Sequence, residues 1–105
     1  MAQTEPIYPG AEGVTVALTG LGDLSGASAY CIYAFKPSGG AMVRWPTAGN
    51  ATLGTVNGQS SIEYTSIAGT LPDAGDYRLH GYGEKGTWKG YTKLAWLHVA
   101  ALGER

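Results

Sequence analysis

The chain is built from short runs in which apolar and polar residues alternate. Val14-Thr15-Val16-Ala17-Leu18-Thr19 alternates strictly. A period of two predicts a strand with Val14, Val16 and Leu18 facing a core. Residues 27–36 are apolar or aromatic in both parities, which predicts a central strand covered at least in part on both faces. Residues 41–45 return as the next strand and end at Pro46. A Gly-, Asn- and Thr-rich stretch, 47–60, holds a short apolar element around Leu53 and Val56. Ser61-Ile62-Glu63-Tyr64-Thr65 alternates again, with Ile62 and Tyr64 inward. In the next run Tyr77, Leu79 and Gly81 share one face, and Arg78, His80 and Tyr82 the other. Residues 83–86 read as a hairpin loop and 87–99 as its returning strand. Parity slips within that strand: Leu94 and Trp96 point one way, Ala95, Leu97 and Val99 the other. A β-bulge between Gly90 and Lys93 explains the slip, and so does a strand covered on both faces. No segment carries a helical period.

The punctuation between these runs fits the same architecture. Seventeen glycines in 105 residues, scattered between apolar runs, suit many short strands joined by tight turns. The expected fold is an all-β sandwich of about seven strands. It occupies residues 13–100, between an N-terminal arm at 1–12 and a C-terminal tail at 101–105. Leu71-Pro72-Asp73-Ala74-Gly75-Asp76-Tyr77 forms a corner before the penultimate strand. Its Asp-x-Gly-x-Tyr pattern resembles the tyrosine corner of immunoglobulin-like sandwiches, where a Tyr hydroxyl ties the corner to the strand it feeds. The resemblance implies an immunoglobulin-like β-sandwich in which Asp73, Gly75 and Tyr77 are the structural corner.

Composition narrows the function classes. The lone cysteine, Cys31, has no internal partner for a disulfide, so packing must hold the fold. A net charge of −1 argues against a general nucleic-acid binder. The charge is uneven: residues 78–105 carry five cations against two acids, and the remainder two cations against six acids. A basic hairpin beside an acidic body can order copies within an assembly. The start, Met-Ala-Gln-Thr-Glu-Pro, lacks a basic n-region and an apolar h-region, and no run approaches a membrane span. A soluble protein made in a cytosol is expected. No CxxC, HExxH or Walker pattern occurs, and two histidines with one cysteine fall short of a metal set. His80 and His98 mirror each other about the last hairpin, but two imidazoles alone make no site. The expectation is therefore no enzyme, no metal and no cofactor.

The aromatic residues are the remaining candidates. Trp45, Trp88, Trp96, Tyr82 and Tyr91 are available for a stacking platform or an interface. Platforms that bind sugar also need side chains that read hydroxyls, and the last strands contain no Asn or Gln. Three further stretches, Leu24-Ser25-Gly26-Ala27, Lys36-Pro37-Ser38-Gly39 and Ala74-Gly75-Asp76-Tyr77, are similar in kind and order to those of small immunoglobulin-like domains of tailed-phage particles. The similarity is notably to the N-terminal domain of baseplate upper proteins. That resemblance implies a non-enzymatic virion structural or accessory protein of a tailed bacteriophage, in tail, baseplate, neck or head decoration. It implies synthesis in the host cytoplasm without a signal peptide, and contacts with other virion proteins and with copies of itself. Neither nucleic acid nor membrane is an expected partner. Trp88, Tyr91 and Trp96, with Ile7 and Tyr8 of the arm, are the expected interface. The alternative is a glycan-binding β-sandwich module that uses surface Trp and Tyr.

Overall fold

A computed structural model describes residues 7–37, 39 and 42–101. Among these residues the chain is all-β, with two antiparallel sheets and no helix. The strands are β1 (Thr15–Thr19), β2 (Ala29–Phe35), β3 (Val43–Trp45), β4 (Thr52–Val56), β5 (Gln59–Thr65), β6 (Gly75–Lys85), β7 (Trp88–Tyr91) and β8 (Ala95–Val99). One sheet has the order β1-β5-β4. The other runs β3-β2-β6-β7, with β8 also paired to β6. Because β7 and β8 lie along the same edge of β6, the eight segments fill seven strand positions.

The core sits between the sheets and follows the alternation. Leu18 and Ile62 are paired across β1 and β5 and contribute from the three-stranded sheet. Ile32, Ala34, Trp45, Tyr77, Leu79 and Val99 contribute from the five-stranded sheet, and Leu24 and Leu71 close the core from connectors. Each large aliphatic side chain buried this way contributes roughly 1.5–3 kcal/mol. Trp45 stacks on Tyr64 across the two sheets, with centroids 5.6 Å apart. The β6 position facing Thr92 and Ile62 is glycine: a Cβ at Gly81 would lie 2.9 Å from Thr92 Cγ2 and 3.4 Å from Ile62 Cδ1.

Turn chemistry fixes the registers. Asn57 and Gly58 both have positive φ, 51° and 81°, and join β4 to β5 as a two-residue hairpin. That is the conformation for which Asn-Gly is preferred. The last hairpin is tighter than the 83–86 loop expected from sequence. β6 continues to Lys85, which pairs with Trp88, leaving Gly86 and Thr87 as the turn. Gly83 is within the strand, where its missing side chain lets Leu21 and Leu24 pack against β6.

At the corner before β6, the Tyr77 hydroxyl accepts from the Asp73 N–H and donates to the Asp73 carbonyl, both at 2.9 Å. The Tyr77 ring is fully buried, and burial pushes its hydroxyl pKa up. The described part of the arm is laid on its own body. Ala100 N–H donates to the Ile7 carbonyl and Gly10 N–H to the Leu71 carbonyl, each at 2.7 Å. The Ser66 hydroxyl accepts from Val14 N–H and donates to the Ala11 carbonyl, both at 3.0 Å. Residues 1–6 of the arm and 102–105 of the tail lie outside the described residues.

Candidate interaction face

The two sheets present unlike outer faces. On the three-stranded sheet, Ala17, Glu63 and Thr52 form one cross-strand row, flanked by Thr15 and Thr65, whose hydroxyls are 2.9 Å apart. On the five-stranded sheet the outward row of β2 is Cys31, Tyr33 and Phe35, and that of β6 is Arg78, His80 and Tyr82. Register sets three rows across this face: Cys31–Tyr82–Tyr91, then Arg44–Tyr33–His80, then Phe35–Arg78–Trp96.

A bulge completes the face. Between the pairs Tyr82↔Tyr91 and Leu79↔Ala95, β6 advances three residues and its partner four. The extra residue reverses parity, so Tyr91 and Trp96, odd and even, emerge on the same side. Thr92 holds the distortion. Its Oγ1 accepts from Gly81 N–H at 2.8 Å, and its N–H donates to the Gly81 carbonyl at 2.9 Å. His80 Nδ1 lies 2.9 Å from the Thr92 carbonyl. A carbonyl only accepts, so the proton is on Nδ1, which fixes the ring's orientation.

Tyr91 and Trp96 are each 61% exposed, and Tyr33, His80 and Tyr82 between them are half-buried. Tyr33, Tyr82 and Tyr91 form a cluster with centroids 5.0–6.2 Å apart, and His80 meets Tyr91 edge-on at 6.4 Å. The Tyr82 hydroxyl donates to Glu84, and that bond pushes its pKa up to about 12. Burial is the main cause holding the Tyr33 pKa up. Tyr33, Phe35, Met42, His80 and Tyr91 line an open depression of about 330 Å³. The Arg78 guanidinium lies 5.1 Å over the Phe35 ring. The Arg44 guanidinium donates to the Pro46 carbonyl at 2.8 Å. The carboxylates on this face are engaged: Glu84 by Tyr82, and Asp76 by His98 Nδ1 at 2.8 Å.

The face only partly coincides with the sequence candidates. Tyr91 and Trp96 are on it together, and Tyr82 is beside them. Trp88 is 44% exposed but pairs with Lys85 and folds over Gly90, on the side opposite Tyr91. Trp45 is excluded from any platform: it is 4% exposed, because β3 turns it into the core against Tyr64 and Tyr77. Ile7 packs on the chain's own core and Tyr8 next to it in sequence is half-buried. His80 and His98 are not opposite one another, because His98 pairs with Asp76, four residues back along β6. Tyr33, Phe35 and Met42 were not singled out, although the second apolar parity of 27–36 carried the signal for the first two.

A second, larger hollow of about 440 Å³ is lined by Gly20, Gly22, Asp23, Gly58, Gln59 and Ser60. Its carboxylate is occupied: the Ser25 hydroxyl and N–H bond Asp23 Oδ1 at 2.7 and 2.9 Å and hold its pKa below the usual range. Among the described residues no three His, Cys, Asp or Glu side chains converge on a common point. Compared with protein-family models, curated proteins and solved structures, the chain matches none.

Proposed function

We propose that this chain is an immunoglobulin-like sandwich that acts as a non-enzymatic structural or accessory subunit, joining other proteins and its own copies through the outer face of the five-stranded sheet. The setting is the tailed-phage virion that the sequence resemblance implies. The observation that carries the reading is the exposed aromatic face itself. A contiguous apolar patch of this kind on a small domain marks a contact surface, and Tyr and Trp are the side chains that dominate such contacts. Strand order supports the immunoglobulin-like assignment. Taking β1 as strand B, the sheets read B-E-D and C′-C-F-G, with the described arm in the place of strand A. The hydroxyl tie from Tyr77 to Asp73 is in the position of a tyrosine corner.

Light scattering over a concentration series tests the reading. Mass should rise above the 10.9 kDa of one chain, and the pair Tyr91→Ser and Trp96→Ser should return it to that value without lowering the melting temperature. A constant monomer mass, with retention on polysaccharide columns that the same pair abolishes, would establish the glycan-binding alternative instead.

A further inference from the structure

The two sheets are unequal in width. One has three strand positions and the other four, because β7 and β8 share a position beside β6. Across the core, β1 lies over β6 and β5 over β2. A Cβ at Gly81 of β6 would be 3.5 Å from Leu18 Cβ of β1. β8 therefore projects past the outer edge of β1, and the position beside β1 holds no strand among the described residues. Val16 on β1, with Ala95 and Leu97 on β8, point to the core side there and are only half-buried. The described arm crosses this side at one end, through its bonds to Leu71, Ala100 and Ser66.

The edge of β1 is open along its length. Ser66 N–H donates to the Val14 carbonyl at 2.8 Å, so the even positions Val14, Val16 and Leu18 turn their main-chain groups towards β5. Thr15, Ala17 and Thr19 turn theirs outward, where no described main-chain group meets them. The Thr15 and Thr65 hydroxyls, 2.9 Å apart, agree with this phase, because side chains approach closest in pairs that exchange no main-chain bonds. Edge strands are commonly guarded by Lys, Pro or a bulge. Thr15–Thr19 carries no charge and no proline, and its pairing with β5 is unbroken.

We infer that the β1 edge is a strand-acceptor site, which takes an extended segment of a partner protein antiparallel to β1. It is a site separate from the aromatic face and does not depend on the role proposed for that face. Size and shape identify the occupant. The edge is about 17 Å long and a sheet about 10 Å thick, far short of the roughly 1,200 Å² that folded partners bury in a stable complex. A second copy that presented its own β1 would also bring its β6 into the space that β8 fills. A single strand avoids both obstacles. Its main chain meets the outward groups of Thr15, Ala17 and Thr19, and main-chain bonds of this kind supply the affinity in strand addition. Its alternate side chains reach Val16, Ala95 and Leu97, so the segment is apolar at every second position and polar between.

Amide hydrogen exchange by NMR on the whole chain tests this. The probe is an end-blocked peptide in which threonine and valine alternate over about seven residues, a strand's length. In the free chain the amides of Thr15, Ala17 and Thr19 should exchange at least about tenfold faster than those of Val16 and Leu18, which are bonded to β5. Peptide at about 1 mM should slow those three at least about twofold, the protection reached when its concentration equals Kd, and should leave β4 unchanged. In antiparallel addition the threonine N–H groups of the peptide face β1 and the valine N–H groups face away. N-methylation of the threonines should therefore abolish the protection, and N-methylation of the valines should preserve it. Equal exchange at odd and even positions of β1 in the free chain would show the edge already covered and overturn the inference. No protection at β1, protection of β4 in its place, or equal binding by the two methylated peptides overturns it as well.

Discussion

Tyr77→Phe isolates what the corner contributes. The substitution removes one oxygen and keeps the ring, which is fully buried and packs 6.3 Å from Trp45. That oxygen makes two hydrogen bonds of 2.9 Å, both to the main chain of Asp73. Each neutral bond contributes about 1 kcal/mol net, so the loss should be about 2 kcal/mol. For a domain of this size that corresponds to a fall in Tm of roughly 8–15 °C. Urea denaturation followed by tryptophan fluorescence measures it, with an unchanged m-value showing that the same surface is exposed on unfolding. Tyr77→Ala should cost about 3–5 kcal/mol more, because it also empties the ring's place in the core. If Tyr77→Phe unfolds within about 0.3 kcal/mol of wild type, the corner is held by packing alone and the hydroxyl tie is irrelevant.

Other outcomes follow from the bulge and the tyrosines. Gly81→Ala should cost about 1–3 kcal/mol through overpacking against the Thr92 methyl; adding Thr92→Ser, which keeps the hydroxyl and removes that methyl, should recover part of the loss in the same melts. Deleting Lys93 removes the extra residue and restores plain alternation, forcing either Trp96 or Tyr91 off the outer face and onto the core side; the deletion should abolish cooperative unfolding in circular dichroism. Alkaline stability should fall. Tyr77, Tyr82 and Tyr33 all have folded pKa values raised above the ordinary value near 10, so their neutral forms are favoured in the fold. The unfolded chain therefore loses protons first. Stability is intact below about pH 10 and declines as pH rises from there towards the folded values. Urea midpoints at pH 8, 10 and 11 should show the decline, and Tyr82→Phe should make it shallower.

Much of the fold was legible because local chemistry and tertiary placement agree. The alternation of 14–19 and 61–65 put Val16, Leu18, Ile62 and Tyr64 on the core side, where the structure has them. The slip in parity between Tyr91 and Trp96 corresponds to the one-residue bulge. Other features had a local signal that went unused. Asn57-Gly58 is a strong hairpin dipeptide, and it sets the β4–β5 register. The hairpin loop was misplaced because the glycine at 83 reads as a turn residue, whereas it serves close packing by Leu21 and Leu24.

What the sequence determined by itself is the class of architecture. Period-two runs, glycine-rich punctuation and a corner motif act over a few residues, so they specify strands, turns and inward positions without knowledge of partners. The composition of the aromatic face was decided only by tertiary structure. Tyr33, Phe35 and Met42 join His80, Tyr91 and Trp96 because β2, β3 and β6 pair in a particular order and register. Trp45 leaves the surface and Trp88 turns away from Tyr91 for the same reason. An aromatic residue suits a core and an interface equally well. Which of the two it enters depends on strand pairings between residues distant in sequence, and alternation within one strand contains no record of them.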